Sequence, residues 1–554
     1  MKSPGGLQLV FSYLDDVYLA GEQRAVSQAF HHLRTSAAQI GLEFSTDKCE
    51  VIPAAGCHSQ LDRSLFPLDT TYREDGNYEL LGGPIGNTTY CNAHNQHRVE
   101  KATKLLHALG ELPDPQVALL LLRHCASFGK LVFSTRVVPH TAHQDAPQQF
   151  DSAVQACVES FMCCTFDSAE WYLAGLGTKL GGLGLRSTAS HSPAAFFASQ
   201  SACHELCSKV DPHFVWDFTG EHSDVTAALA ACNAATAPED HLQPESEKPT
   251  PQQTISKAID THTMSQLRAS RGTDTQYQAH LNHTTSSGAG QWLHIRPVKA
   301  LHKHVDAHHF RTMILRWLRV PIFNEPFHRP LCDDIVDIHG DHCLVCSCGG
   351  DRTERHNLLR NEIFYTCTGA GLAPELERPG LLQPRPLIGA TTENGTANDP
   401  NGHRRPADVY IPRWRAGAPA AFDLAVTSGL RRDMVERSAN DGTAAVKSYE
   451  DFKREYMDTD QLCRAEGITF IPLIAEADGG GWGPNAHKVF NELAKLKSAT
   501  TGESEDTSAM HLLQSLNLIL HRENARAILR RSLHFNSTAG RTFLSAAVTA
   551  LAAP

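Results

Sequence analysis

Three places in the 554-residue sequence bring together side chains whose types and spacing could do chemistry. Asp15 and Asp16 stand side by side between short apolar runs at 7–13 and 17–19, the profile of a hairpin tip. Adjacent carboxylates repel one another and gain most where divalent cations bridge them, as two-metal phosphoryl transfer requires; an exposed acidic turn is the plainer alternative. The second place is 332–356, rich in Cys and His. Zinc takes four nitrogen or sulfur ligands in a tetrahedron, and short Cys/His spacings around a glycine turn supply them without a large core. Cys332, His342, Cys346 and His356 form such a set, separated by nine, three and nine residues, with Cys343 and Cys348 as competing ligands. In the third place Asp408 and Asp423 each sit on a short apolar strand, where a carboxylate is costly to bury unless it is paired or binds a metal. Their separation of fifteen residues suits a hairpin that carries both to one end of a sheet. Lys447 and Lys453 lie about a turn and a half apart on the helical stretch that follows, and Glu362 lies on the helix after His356. Carboxylates that hold Mg²⁺ or Mn²⁺, beside a lysine that steadies developing negative charge, are what phosphodiester hydrolysis needs.

The elements that must position these groups follow from periodicity. Ala25, Ala29, Leu33, Ala37 and Ile40 recur at helical spacing, which predicts a helix over 22–40, followed by short strands at 41–45 and 50–52. Helical stretches fill 95–210, including 117–125 and 153–164. The segment 219–250 carries six acidic residues and one Lys with few large apolar groups, a linker composition. Helices are expected at 255–267, 305–318 and 357–364, strands within 407–427 and at 468–474, and an amphipathic helix at 510–533 after a polar gap at 500–508. The fold class expected is α+β and multidomain.

Residues 11–21, Phe-Ser-Tyr-Leu-Asp-Asp-Val-Tyr-Leu-Ala-Gly, resemble the metal-binding palm hairpin of reverse transcriptases. The run from Gly41 to Glu50 resembles the next palm motif, its lysine at Lys48, and Leu80-Leu-Gly-Gly-Pro-Ile-Gly resembles the primer grip. The Gly-Asp-His, Cys, Gly-Gly and Arg-His-Asn series at 340–357 looks like the Cys/His knuckle that precedes the endonuclease in non-LTR retrotransposons bearing a restriction-like endonuclease. In that family the catalytic lysine has often moved from the strand onto the next helix. The resemblance therefore implies a PD-(D/E)xK endonuclease of α/β fold with Asp408 and Asp423 as metal ligands, Lys453 as the lysine with Lys447 as alternate, and Glu362 as an accessory ligand. It implies a partial palm at 1–95, a helical thumb-like region at 96–218, an acidic flexible linker at 219–250 and a helical region at 251–330. A zinc knuckle at 331–358, the endonuclease at 359–499 and a basic C-terminal helix at 509–535 complete the series. The cofactors implied are Mg²⁺ or Mn²⁺ and Zn²⁺, and the partners a DNA target and retrotransposon RNA. The upstream catalytic Asp, fingers and template grip have no counterpart before Asp15, so the chain alone is not expected to polymerise. It reads as an N-terminally truncated element protein, a fragment or a misjoined gene. The alternative is a catalytically dead nucleic-acid-binding remnant.

The net charge of −11 argues against a chain uniformly coated for nucleic acid, without excluding local basic patches. Residues 403–437 hold seven Arg against four acidic residues. Arg404, Arg405, Arg413, Arg415, Arg431 and Arg432, with Trp414 between two of them, suit phosphate contact and base stacking. The acidic residues soon after the start leave no signal-peptide core, and with no run of about 18 uninterrupted apolar residues the expectation is an intracellular protein, nuclear or cytoplasmic, without membrane contact. The 16 Cys then read as thiols or metal ligands.

Overall fold

The computed structural model describes residues 6–54, 61–143, 145–210, 214, 223–243, 249–329, 332–382 and 406–532. The first apolar runs pair as an antiparallel hairpin, β1 (Leu7–Tyr13) with β2 (Asp16–Gly21), Tyr13 opposite Asp16 and Leu14 in the turn at a φ of 55°. Glu22 then starts α1 (Gln23–Gln39), its carboxylate accepting the N–H groups of Arg24 and Ala25. The strand expected at 41–45 is absent. That segment is irregular and leads into a 3₁₀ turn at Thr46–Lys48, because no neighbouring strand offers it a ladder. Beyond it β3 (Glu50–Val51) pairs in parallel with β4 (Thr71–Tyr72), and β5 (Tyr78–Leu80) turns back on β6 (Gly83–Ile85).

A succession of helices follows: α2 (Thr88–Gly110), α3 (Pro115–Leu121), α4 (Val132–Val137), α5 (Ala146–Met162), α6 (Ser168–Gly175), α7 (Thr188–Val210), α8 (Asp224–Ala234), α9 (Gln252–Ser270), α10 (Thr275–Thr284) and α11 (Ala307–Trp317). Helix α8 lies inside the segment expected to be a linker. Its alanines favour helix, and Ala228, Leu229 and Cys232 are buried with Phe196, Phe197 and Ile255. By length and hydropathy Pro115–Val137 could cross a membrane, although it is broken into short helical pieces around Ser127.

The chain divides into two compact units. The described residues of Met1–Lys104, Phe128–Ala153 and Ser187–Ile259 form one, and those of Leu105–Ser127, Val154–Arg186 and Asp260–Pro554 the other. The second holds both the Cys/His segment and the carboxylates. A hairpin of β7 (Phe327–Arg329) and β8 (Cys332–Val336) leads into α12 (Asp341–Val345) and α13 (Asp351–Gly369). Next come β9 (Glu375–Leu376), β10 (Val409–Ile411), β11 (Ala420–Thr427) and β12 (Thr469–Glu476), ordered β12-β11-β10-β9 in one sheet. The outer pairings of β10 are antiparallel, whereas β11 and β12 run parallel. A parallel pair needs a long crossover, supplied by α14 (Val435–Asn440), α15 (Ala444–Glu455) and α16 (Thr459–Ala465). Helices α17 (Pro484–Thr501) and α18 (Glu505–Ser532) close the unit.

Alternation along β11 decides which face each side chain meets. Ala420, Phe422 and Leu424 point into a core with Leu359 and Ile363 of α13, Val489 and Phe490 of α17 and Leu516 of α18. Ala421 points the other way, into a smaller cluster with Tyr410, Cys463 and Phe470. Asp423 shares the face of Ala421, the side on which α15 lies.

Candidate active site and metal centre

Asp408 stands where β10 begins. Its N–H donates to the Phe422 carbonyl (2.9 Å), and its Oδ2 accepts the Leu424 N–H (2.6 Å), so the carboxylate is fixed against β11 beside Asp423. Asp423 lies mid-strand, opposite Pro472 of β12. Lys453 reaches in from α15 and places its Nζ 2.8 Å from Asp423 Oδ2. His356 of α13 places its Nε2 3.1 Å from Asp408 Oδ2 and 3.1 Å from the Leu424 carbonyl. These side chains remain reachable from solvent, with 17% of the Asp423 and 18% of the Asp408 side-chain surface exposed.

The electrostatics follow from that packing. Burial pushes the Asp423 carboxyl up to about 6, and the neighbouring charge of Asp408 adds to it while Lys453 opposes it. Burial lowers the lysine, but its attraction to Asp423 prevails and Lys453 lies above its ordinary value. His356 is likewise depressed by burial and lifted past its ordinary value by Asp408. Asp408 and Asp423 lie on adjacent strands, each with one cationic neighbour.

The remaining expected residues are placed differently. Lys447 pairs with Asp441 (3.3 Å) and is exposed. Glu362 is half-buried on α13, six positions beyond His356 and so about 240° around the helix, and among the described residues no hydrogen bond or ion pair joins its carboxylate to the site. Trp414 is half-buried and packs edge-to-face with the Phe422 ring (centroids 5.1 Å apart) at the core's margin, with the Arg415 guanidinium 5.9 Å from its ring. Arg415 pairs with Glu492 (3.1 Å) and Arg431 with Asp433 (3.0 Å), while Arg413 and Arg432 are exposed. Arg404 and Arg405 lie outside the described residues.

In the Cys/His segment the carboxylate of Asp337 accepts the N–H groups of His339 and His342, turning the chain into α12. The Cys332 Sγ lies 3.2 Å from His342 Nε2. The thiols of Cys332, Cys346 and Cys348 lie within 4.8 Å of one another, and Cys332, Asp334 and His342 form an overlapping group of the same reach. Thiols and an imidazole so gathered are a possible metal-binding group whose chemistry suits zinc. Cys348 therefore stands where His356 was expected. His356 belongs to α13, which starts at Asp351 and carries it to Asp408. Cys343 points into the core, its thiol pushed up to about 12 by burial. Burial also raises Cys346, but hydrogen bonds from the Cys348 backbone, Arg531 and Cys332 bring it below its ordinary value.

At the first hairpin Asp15 and Asp16 are exposed, with the Tyr18 hydroxyl 3.4 Å from Asp16 Oδ2. Lys48 is exposed on its 3₁₀ turn, and no hydrogen bond or ion pair among the described residues links it to either aspartate. The apolar residues around them are open as well, Tyr13 by 52% and Leu14 by 88%, so nothing in the described chain encloses the pair.

Sequence reasoning missed a buried charged network beside the site. His280 (α10) donates through Nδ1 to Asp478 (2.7 Å), Arg316 (α11) bridges Asp478 (2.6 Å) and Asp341 (2.9 Å), and Arg319 holds Asp341 (2.8 Å). His283 lies between Glu476 (3.7 Å) and Asp478 (3.6 Å). Burial alone would raise the Asp341 carboxyl, yet Arg319 and Arg316 hold it down at about 2. The signal was there as spaced pairs, His280 with His283 one turn apart on α10, and Arg316 in the last turn of α11 with Arg319 just beyond its end. No protein-family model matches the chain, and no curated protein matches it.

Proposed function

We propose that the second unit is a metal-dependent DNA endonuclease of the restriction-like PD-(D/E)xK type, within a protein related to the reverse transcriptases of non-LTR retrotransposons. The convergence of Asp408, Asp423 and Lys453 carries this reading. Two carboxylates on adjacent strands, one of them raised to about 6 and facing a lysine, make a candidate for such chemistry. Asp408 and Asp423 would hold Mg²⁺ or Mn²⁺, which when bound polarises the phosphodiester and acidifies the attacking water. Lys453 keeps a fixed positive charge at the site, where it stabilises negative charge developing on the phosphate. Exposed Arg413 and Arg432 suit backbone contact with a DNA target, and Cys332, His342, Cys346 and Cys348 suit zinc. Asp15, Asp16 and Lys48 are in this reading a palm remnant without polymerase activity of its own.

The experiment is nicking of supercoiled plasmid by the purified chain with Mg²⁺ or Mn²⁺. Cleavage that is lost on chelation supports the enzyme. DNA binding with no cleavage under any divalent cation would favour the non-catalytic remnant instead.

A further inference from the structure

We propose that His356 is a positioning residue of the carboxylate site, orienting Asp408 toward a divalent cation, and is not a ligand of the Cys/His centre. The proposal rests on the nuclease reading. One oxygen of Asp408, Oδ2, is claimed twice, by the Leu424 N–H at 2.6 Å and by His356 Nε2 at 3.1 Å. The other oxygen accepts no hydrogen bond among the described residues. A carboxylate pinned through one oxygen presents the other in a fixed direction, and donors that orient a ligand in this way commonly govern how tightly the ion is held. Nε2 is also 3.1 Å from the Leu424 carbonyl, so the ring is anchored to the strand as well as to the side chain.

The backbone explains how a histidine eight residues past Cys348 comes to this place. Asp351 at the start of α13 accepts Arg530 and Arg531 (2.6 Å each), and Arg531 also donates to the Cys348 carbonyl (2.9 Å). The helix is therefore seated beside the cysteines, and five residues later, about 7.5 Å along its axis, it delivers His356 to Asp408.

The test uses the full chain with His356→Ala, His356→Gln and Asp423→Asn. Zinc content is measured by elemental mass spectrometry and Mn²⁺ binding by electron paramagnetic resonance. Zinc per chain is expected to match wild type in both His356 variants. The Mn²⁺ dissociation constant is expected to rise about tenfold in His356→Ala and to recover toward wild type in His356→Gln, whose amide can still donate to Asp408. If the alanine variant does not fold, His356→Asn, polar but too short to reach, reads the same difference. Loss of zinc in a folded His356 variant, or Mn²⁺ affinity unchanged by His356→Ala, overturns the proposal. Mn²⁺ binding that is lost in Asp423→Asn but indifferent to His356 defeats the positioning role alone. Binding that is absent in wild type, or survives Asp423→Asn, defeats the nuclease reading and the positioning role with it.

Discussion

Lys447 and Lys453 share one helix, but only Lys453 reaches a site carboxylate, at 2.8 Å, whereas Lys447 is held by Asp441 outside it. Replacing Lys453 by Met should therefore lower nicking by about 100-fold or more while DNA binding persists, and Lys447→Met should leave nicking near wild type. Equal losses in the two variants would refute the assignment. At the Cys/His centre, Cys346→Ser is expected to cost the chain its zinc and Cys343→Ser to retain it, as elemental analysis of the purified variants would show. That Asp408, Asp423 and Lys453 come near one another was legible in residue type and strand pattern. His356 was not, because the helical period became visible only from Asn357. The start signal lay earlier, in Gly350 at a φ of 76° followed by Asp351 in the first turn.

Helix α18 is where the amphipathic helix was expected, and its arginines have specific partners. Its arginines read as a basic face, but Arg530 and Arg531 converge on Asp351, and Arg522 and Arg526 pair with Glu523. The Arg531 side chain is 1% exposed and that of Asp351 6%, so the helix ties the start of α13 to the Cys/His segment, while Arg530 stays half exposed. Leaving a buried charge without its partner is costly, and Asp351→Asn should destabilise the unit by about 3–5 kcal/mol in urea unfolding. A change below about 1 kcal/mol would show that solvent screens the cluster, as it does a surface pair. Helix 22–40 and the strand at 468–474 were legible from periodicity alone, since each has a clear apolar pattern. The strand expected at 41–45 failed because pairing partners, which local pattern cannot show, decide whether an extended segment becomes a strand. The network joining α10, α11, α12 and the end of β12 was hidden for the same reason, its members lying up to 198 residues apart.

The net charge of −11 conceals buried charged clusters such as that of His280, Arg316, Arg319, Asp341 and Asp478. Burial keeps several histidines neutral, lowering His143 and His339 to about 4 and His521 to about 3. Once unfolded, each takes up a proton below about pH 6.5 that the folded ring refuses, so this contribution to stability is present above pH 6.5 and declines as the pH falls toward 4. Asp423, raised to about 6, acts in the opposite sense over part of that window, as do the carboxyls of Asp151, Glu170, Glu450 and Glu476 that burial raises. Acting with the three histidines are His140, His294, His308 and His487, lowered by burial, and Asp341 and Asp478, held down by their cationic partners. Urea midpoints are expected to drop between pH 7 and pH 4.5, and a midpoint that holds or rises would contradict this. On the proposed reading the cutting activity belongs to the second unit, and the exposed first hairpin takes no part in it. Plasmid nicking in Mg²⁺ should therefore be compared for wild type, Asp423→Asn and the Asp15→Asn, Asp16→Asn double variant. Nicking lost in Asp423→Asn and unchanged in the hairpin variant is the expected result. Nicking that survives Asp423→Asn, or disappears with the hairpin aspartates, would contradict it.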